Sequence, residues 1–201
     1  MGAFSMVMGK VQTHPDTTQL PFSYLIASGD TTYIVPGRNI ATVGTYRDIN
    51  KWPKRDKRAA SSKKSIVNFD WLSPYTMIEI IRGKQTLESL RSEQGDNMAS
   101  YNYNGCLIKN KSLQKGIKYH DMAIRMFMGE VVSRNGSALP GSSVGTGEWT
   151  DLAGLLAPKE VVGTLCDGIA KGEYNDVHQV ERRFEEINAA YGEYRWNWTY
   201  R

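Results

Sequence analysis

LPFSYLIASGDTTYIVPG, residues 20–37, holds two runs rich in β-branched and aromatic residues, Phe22 to Ala27 and Thr31 to Val35, joined by Ser28, Gly29 and Asp30. A turn-forming glycine between two such runs is the signature of a β-hairpin. Upstream, Phe4, Met6 and Met8 recur at every second position, which reads as another short strand. Downstream, Asn39 to Tyr46 is expected to be a further extended run, interrupted by Gly44.

Beyond residue 70 the apolar period changes from two to three or four. Ser73-Pro74 predicts a helix start, with Met77, Ile80, Ile81, Leu87 and Leu90 on one face and Gly83 weakening the middle. A second helix is predicted from Ser112 to Met128, with Leu113, Ile117, His120, Ile124, Phe127 and Met128 as its apolar stripe and Gly129 as its stop. Pro158 opens a third with Val161, Val162, Leu165 and Ile169 inward, and Asp176 caps a fourth that bears Val177, Val180, Phe184, Ile187 and Tyr191. The terminal YRWNWTYR, residues 194–201, alternates aromatic and polar side chains and is expected to be extended, laying its rings on a surface. The expected class is α+β: a β-rich segment over 1–66, then a helical domain over 67–201 with an aromatic tail.

The chain has 201 residues and a formal charge of +4, enough length for one full core or two small units. Its basicity is local. KWPKRDKRAASSKK, residues 51–64, sets seven cations against one Asp, so everything else sums to −2. Such a run is a solvated loop, an anion site or a nucleic-acid patch. The last reading is disfavoured, because only Trp52 is available for stacking and Pro53 breaks any helix that would present the cations. Of the run, the half through Arg58 is the functional candidate, and AASSKK reads as a flexible exit. Cys106 and Cys166 have no CxxC spacing and are expected as reduced thiols, and no stretch approaches the roughly 18 apolar residues of a membrane span. A cytoplasmic protein is expected, either whole or as a piece of a longer chain, with no membrane partner.

Chemistry is thinly signalled. The glycine-rich loop NGSALPGSSVGTGEW, residues 135–149, carries Glu148-Trp149 where a phosphate-binding loop needs Lys-Ser/Thr, and it reads as a connection. His14, His120 and His178 lack metal-ligand spacing, so neither a metal nor a cofactor is expected. His120 lies on an apolar stripe and reads as a core residue. His14, in THPDT, precedes Asp16, whose carboxylate could orient an imidazole as general base, although Pro15 and Asp16 are standard turn residues and a turn is the favoured reading.

LPFSYLI, YIVPGRNIATVGTYRDINKWPKRDKR, LSPYTM, GIKYHDMAIRMFMGE, GTGEWTDLAGLLAPK and RWNWTY together resemble the C-terminal part of a family of long bacterial proteins. These carry left-handed β-helix (hexapeptide-repeat) domains and names related to UDP-N-acetylglucosamine pyrophosphorylases or acyltransferases. The resemblance covers residues 4–201 and carries no established chemistry. It implies an accessory domain that covers a β-helix end, with residues 4–14 as a last coil, homo-oligomer contacts (trimers being common among β-helices), and a sugar-nucleotide or other phosphate ligand. An anion pocket would then draw on Arg38, Arg47, Lys54 and Arg55. The alternatives are a hexapeptide-type acyl- or nucleotidyl-transferase using His14 and Asp16, for which the full-length protein would be the enzyme, and a nucleic-acid-binding module through residues 51–64.

Overall fold

A computed structural model describes residues 1–59 and 65–201; the ASSKK end of the basic run, which both the nucleic-acid alternative and the flexible exit invoke, lies outside the described residues. The chain is α+β, as the sequence predicts. Strands β1 (Met6–Met8), β2 (Tyr24–Ser28), β3 (Thr31–Val35), β4 (Ser100–Tyr103) and β5 (Cys106–Lys109) form one mixed sheet in the order β1-β2-β3-β5-β4. Strands β6 (Trp149–Leu152) and β7 (Leu155–Pro158) form a separate pair. The helices are α1 (Val43–Lys51), α2 (Pro74–Gln94), α3 (Asn110–Asn135), α4 (Lys159–Ala170), α5 (Val177–Ala189) and α6 (Tyr191–Tyr200).

Two compact units share this chain: residues 1–51 with 76–126, and residues 52–75 with 127–201. In the first, the predicted hairpin forms with Ser28 opposite Thr31, and Gly29 at φ 58° makes its turn. β1 pairs parallel to β2, and β3 pairs parallel to β5. Leu25, Ile34, Tyr101, Ile108 and Leu113 close the core with Leu87 of α2. Glycines set how near the backbone comes. A Cβ on Gly83 would collide with the Gln19 carbonyl oxygen and lie 3.0 Å from His120 Nε2, and one on Gly116 would lie 2.8 Å from Pro36 Cβ. The second unit packs α4 and α5 on the β6–β7 pair through Leu155, Ala157, Val161, Leu165 and Ile187. Pro158 is the cap of α4, and Asp176 caps α5 by accepting from the Gln179 N–H, as predicted.

The structure corrects five expectations. Ile81, Met128, Ile169 and Val177, expected on apolar faces, are exposed. Asn39–Tyr46 is not extended: a 3₁₀ turn over Arg38–Ala41 leads into α1. Gly37 at φ 63° breaks the strand direction, and Asn39 is drawn inward by bonds from its N–H to Phe22 O (2.8 Å) and from its Nδ2 to Phe4 O (2.7 Å). Gly129 does not stop α3, which runs on to Asn135 and ends at Gly136 (φ 58°), whose N–H reaches Val132 O at 2.8 Å. The C-terminal stretch is helical rather than extended. Its alternate polar residues Arg195, Asn197 and Thr199 are themselves buried, so the pattern never separated an inner from an outer face. Finally, the region past residue 67 is not helical throughout, because β4–β5 and β6–β7 lie within it, each turning on two residues of positive φ, Asn104-Gly105 and Ala153-Gly154.

Gly83→Ala should destabilise the protein by about 2–3 kcal/mol despite the better helix propensity of Ala, because the added methyl has no room. Gly129→Ala, where a Cβ meets nothing within 4 Å, should stabilise it by about 0.5–1 kcal/mol. Urea melts of the two variants measure both, and equal shifts would contradict the packing described.

Candidate functional site

The predicted anion-binding residues fall in separate units. In the first, Arg38 Nη1 reaches the Tyr119 hydroxyl at 3.4 Å, and Arg47 Nε binds Asp48 Oδ1 at 3.0 Å with both side chains more than half exposed. α1, which carries Arg47, buries none of its residues. In the second, Lys54 and Arg55 sit on a 3₁₀ turn over Pro53–Arg55, with the Arg55 guanidinium 5.8 Å from the centre of the exposed Trp52 ring. Next to them Arg58 forks onto Asp56, at 2.6 Å from Nη2 and 3.0 Å from Nε.

The proposed general base and its orienting carboxylate are not joined. His14 is exposed, whereas Asp16 Oδ1 accepts the Thr18 N–H at 2.9 Å in an Asx turn, and that bond holds its carboxyl below the usual aspartate range. Among the described residues no group of three or more His, Cys, Asp or Glu could hold a metal ion, and no helix is long and apolar enough to cross a membrane.

Asp16 belongs to a different setting, one that sequence reasoning missed. Within the first unit the 12–20 loop crosses α2 at Gly83, and the Asn104 side chain donates to Asp16 O at 3.0 Å, fastening the β4–β5 turn to that loop. Gln94 Oε1 accepts the Asn102 N–H at 3.0 Å and its Nε2 donates to Asn102 O at 3.1 Å, so β4 is tied to the end of α2. Between these fastenings one polar face of α2 remains open. It floors a cleft of ≈ 470 Å³ with Gln85, Thr86, Ser89 and Glu93, walled by Gln19 and Tyr103. Thr86 Oγ1 donates to Gln19 Oε1 at 3.2 Å across one edge. Burial, with the field of Asp16, raises the Tyr103 phenol, so it stands in the cleft as a neutral hydroxyl.

Two buried titratable groups have structural roles. Arg195 lies beneath the second unit's surface: its Nη2 donates to Glu130 Oε2 at 3.0 Å and to Leu72 O at 3.3 Å, and its guanidinium lies 4.9 Å from the Phe127 ring centre. Its Nε is 3.4 Å from Asp70 Oδ2, which also accepts the Tyr191 hydroxyl at 2.7 Å. Burial raises Asp70 against the pull of Arg195, the Arg195 bond lowers Glu130, and burial beside Asp70 keeps the Tyr191 phenol protonated. In the first unit His120 is fully buried, as the sequence predicts. Its Nδ1 lies 2.8 Å from Gly116 O, a pure acceptor, so Nδ1 carries the proton and the bare Nε2 faces Gly83 with no hydrogen-bond partner among the described residues. Burial lowers its pKa to about 4.

Residues 1–91 match a family described as Domain of unknown function (DUF4954), and residues 135–201 match another, Domain of unknown function (DUF6819). No curated protein and no solved structure matches the chain.

Because the unfolded chain protonates His120 near 6.5 and the folded chain only near 4, its contribution to stability is complete above pH 6.5. Roughly 3 kcal/mol should be lost as the pH falls from 6.5 to 4, and His120→Asn should flatten that part of a stability-against-pH series. Arg195→Met should cost about 3–5 kcal/mol at pH 7 by leaving the largely buried Asp70 without its cation and Glu130 with Arg134 alone; a calorimetric loss under 1 kcal/mol would contradict the network.

Proposed function

We propose that this chain is an accessory module that covers the end of a parallel β structure, of the left-handed β-helix kind, in a sugar-nucleotide-related protein, and that it contributes oligomer contacts there. The observation that carries this reading is β1. Among the described residues it is the edge of the mixed sheet, it runs parallel to its sheet neighbour β2, and Met6 and Val7 are each 45% exposed. An open edge with apolar side chains is a template for another strand, and proteins ordinarily cover or charge such edges. Phe4 stacks on Phe22 at 4.9 Å just before the strand, fixing the direction in which the edge is presented. A β-helix coil is parallel throughout, so its last strand has the orientation that β1 continues.

Phosphate binding, in this reading, is a surface property of Arg38 and Arg47 on one unit and of Lys54 and Arg55 on the other, supported by their exposure. The two unpaired thiols, Cys106 buried and Cys166 exposed, favour a cytoplasmic setting.

Where no coil covers it, the β1 edge is left to pair with a second copy. Sedimentation velocity over a concentration series should show the chain associating, and Met6→Lys with Val7→Lys should weaken that association about tenfold or more while leaving the circular dichroism unchanged. A chain that stays monomeric throughout, or a double variant that associates like the parent, would overturn the reading.

A further inference from the structure

The cleft on α2 is independent of the β1 edge, and its lining defines a ligand chemistry by elimination. It is preformed: the floor is a 21-residue helix, and both walls are fastened by side-chain bonds, Thr86 to Gln19 on one side and Gln94 to Asn102 on the other. At ≈ 470 Å³ it has the volume of a small-molecule site. Its charge is balanced, with Arg82 bound to Glu79 at 2.9 Å and Glu93 at the far end, so it offers no net attraction to a phosphate or a carboxylate. It is also too polar for an apolar ligand, since of the residues around it only Leu90 is aliphatic. What remains is a row of groups that both donate and accept: the amides of Gln19 and Gln85 and the hydroxyls of Thr86 and Ser89. Tyr103 lines the same cleft, half-buried and packed against the core cluster, next to Asn104, which fastens the β4–β5 turn.

Alternating donors and acceptors beside an aromatic face suit a compound with hydroxyls around its rim and C–H groups on its flat side. We infer that this cleft binds a neutral pyranose, with the Tyr103 ring under one sugar face and Gln85, Ser89 and Gln19 bonding its equatorial hydroxyls. The floor residues Gln85 and Ser89 stand one turn apart on α2, so two hydroxyls of one ring are within their joint reach. Neither residue belongs to the core cluster of this unit, so both are free to be changed without unfolding it.

The test is saturation-transfer NMR on the full chain with methyl glucoside, methyl galactoside, methyl mannoside and methyl N-acetylglucosaminide as probes. At least one should receive saturation, and its binding should fall about tenfold or more in Ser89→Trp, which fills the cleft, and in Gln85→Ala, with thermal midpoints unchanged. Transfer to no probe overturns the inference. So does a bound sugar whose affinity is the same in both variants, since it would then sit elsewhere, and so does a short peptide or inorganic phosphate that competes for the cleft more strongly than any of the four sugars.

Discussion

The close passage of the Gln19 backbone over Gly83 is the contact on which the first unit depends. Any side chain at position 83 would lift the 12–20 loop off α2. That loop supplies one wall of the polar cleft, and it carries Leu20 into the core beside Leu87. The same glycine lets α2 approach His120, whose unprotonated nitrogen is shielded from water by backbone rather than by a partner side chain. A helix interior normally avoids glycine because of its conformational freedom, and here steric room outweighs that preference.

The two units bury polar groups in opposite ways. His120 is held as a neutral ring with one bond satisfied, which makes the first unit sensitive to protons. Arg195 is held as a charge, with carboxylates, a carbonyl and an aromatic face around it, and it joins the segment bearing Asp70 and Leu72 to α3 and α6 at once. Such a cluster adds little net stability over an apolar equivalent, but it admits few alternative arrangements of the three segments.

Much of the fold was legible in local chemistry. The Gly29-Asp30 turn, the helix starts at Pro74 and Lys159 and the Asp176 cap are set by residues within four positions of one another. The rest is decided at long range, by an unusual use of residues, or by a neighbouring pattern that overruns a local signal. α6 was hidden because its alternate polar residues point inward, and the 3₁₀ turn after β3 because Asn39 answers to Phe4 and Phe22. The β4–β5 hairpin was legible, since Asn-Gly between alternating residues announces a two-residue turn, and it was masked only by the helical pattern on both sides. Of the site, the Asx turn at Asp16 is local and its residue types announce it, but its connection to the hairpin tip spans 88 positions. The polar face of α2 carries no periodic signal that would distinguish a cleft floor from a solvated surface.

The order in which the chain enters its two units has a consequence for synthesis. Residues 52–75 leave the ribosome early, yet the unit they join is completed by residues 127–201, so they must wait while the intervening 76–126 return to residues 1–51. During that interval Asp70, Leu72 and the apolar Ile66 are without the groups that later enclose them. A nascent chain paused there has a finished first unit and a bare strap, which is where a chaperone would have most to hold. A truncation between residue 91, where the first matched family ends, and residue 126 would divide both units, whereas one between 127 and 135, where the second match begins, would divide the second unit alone.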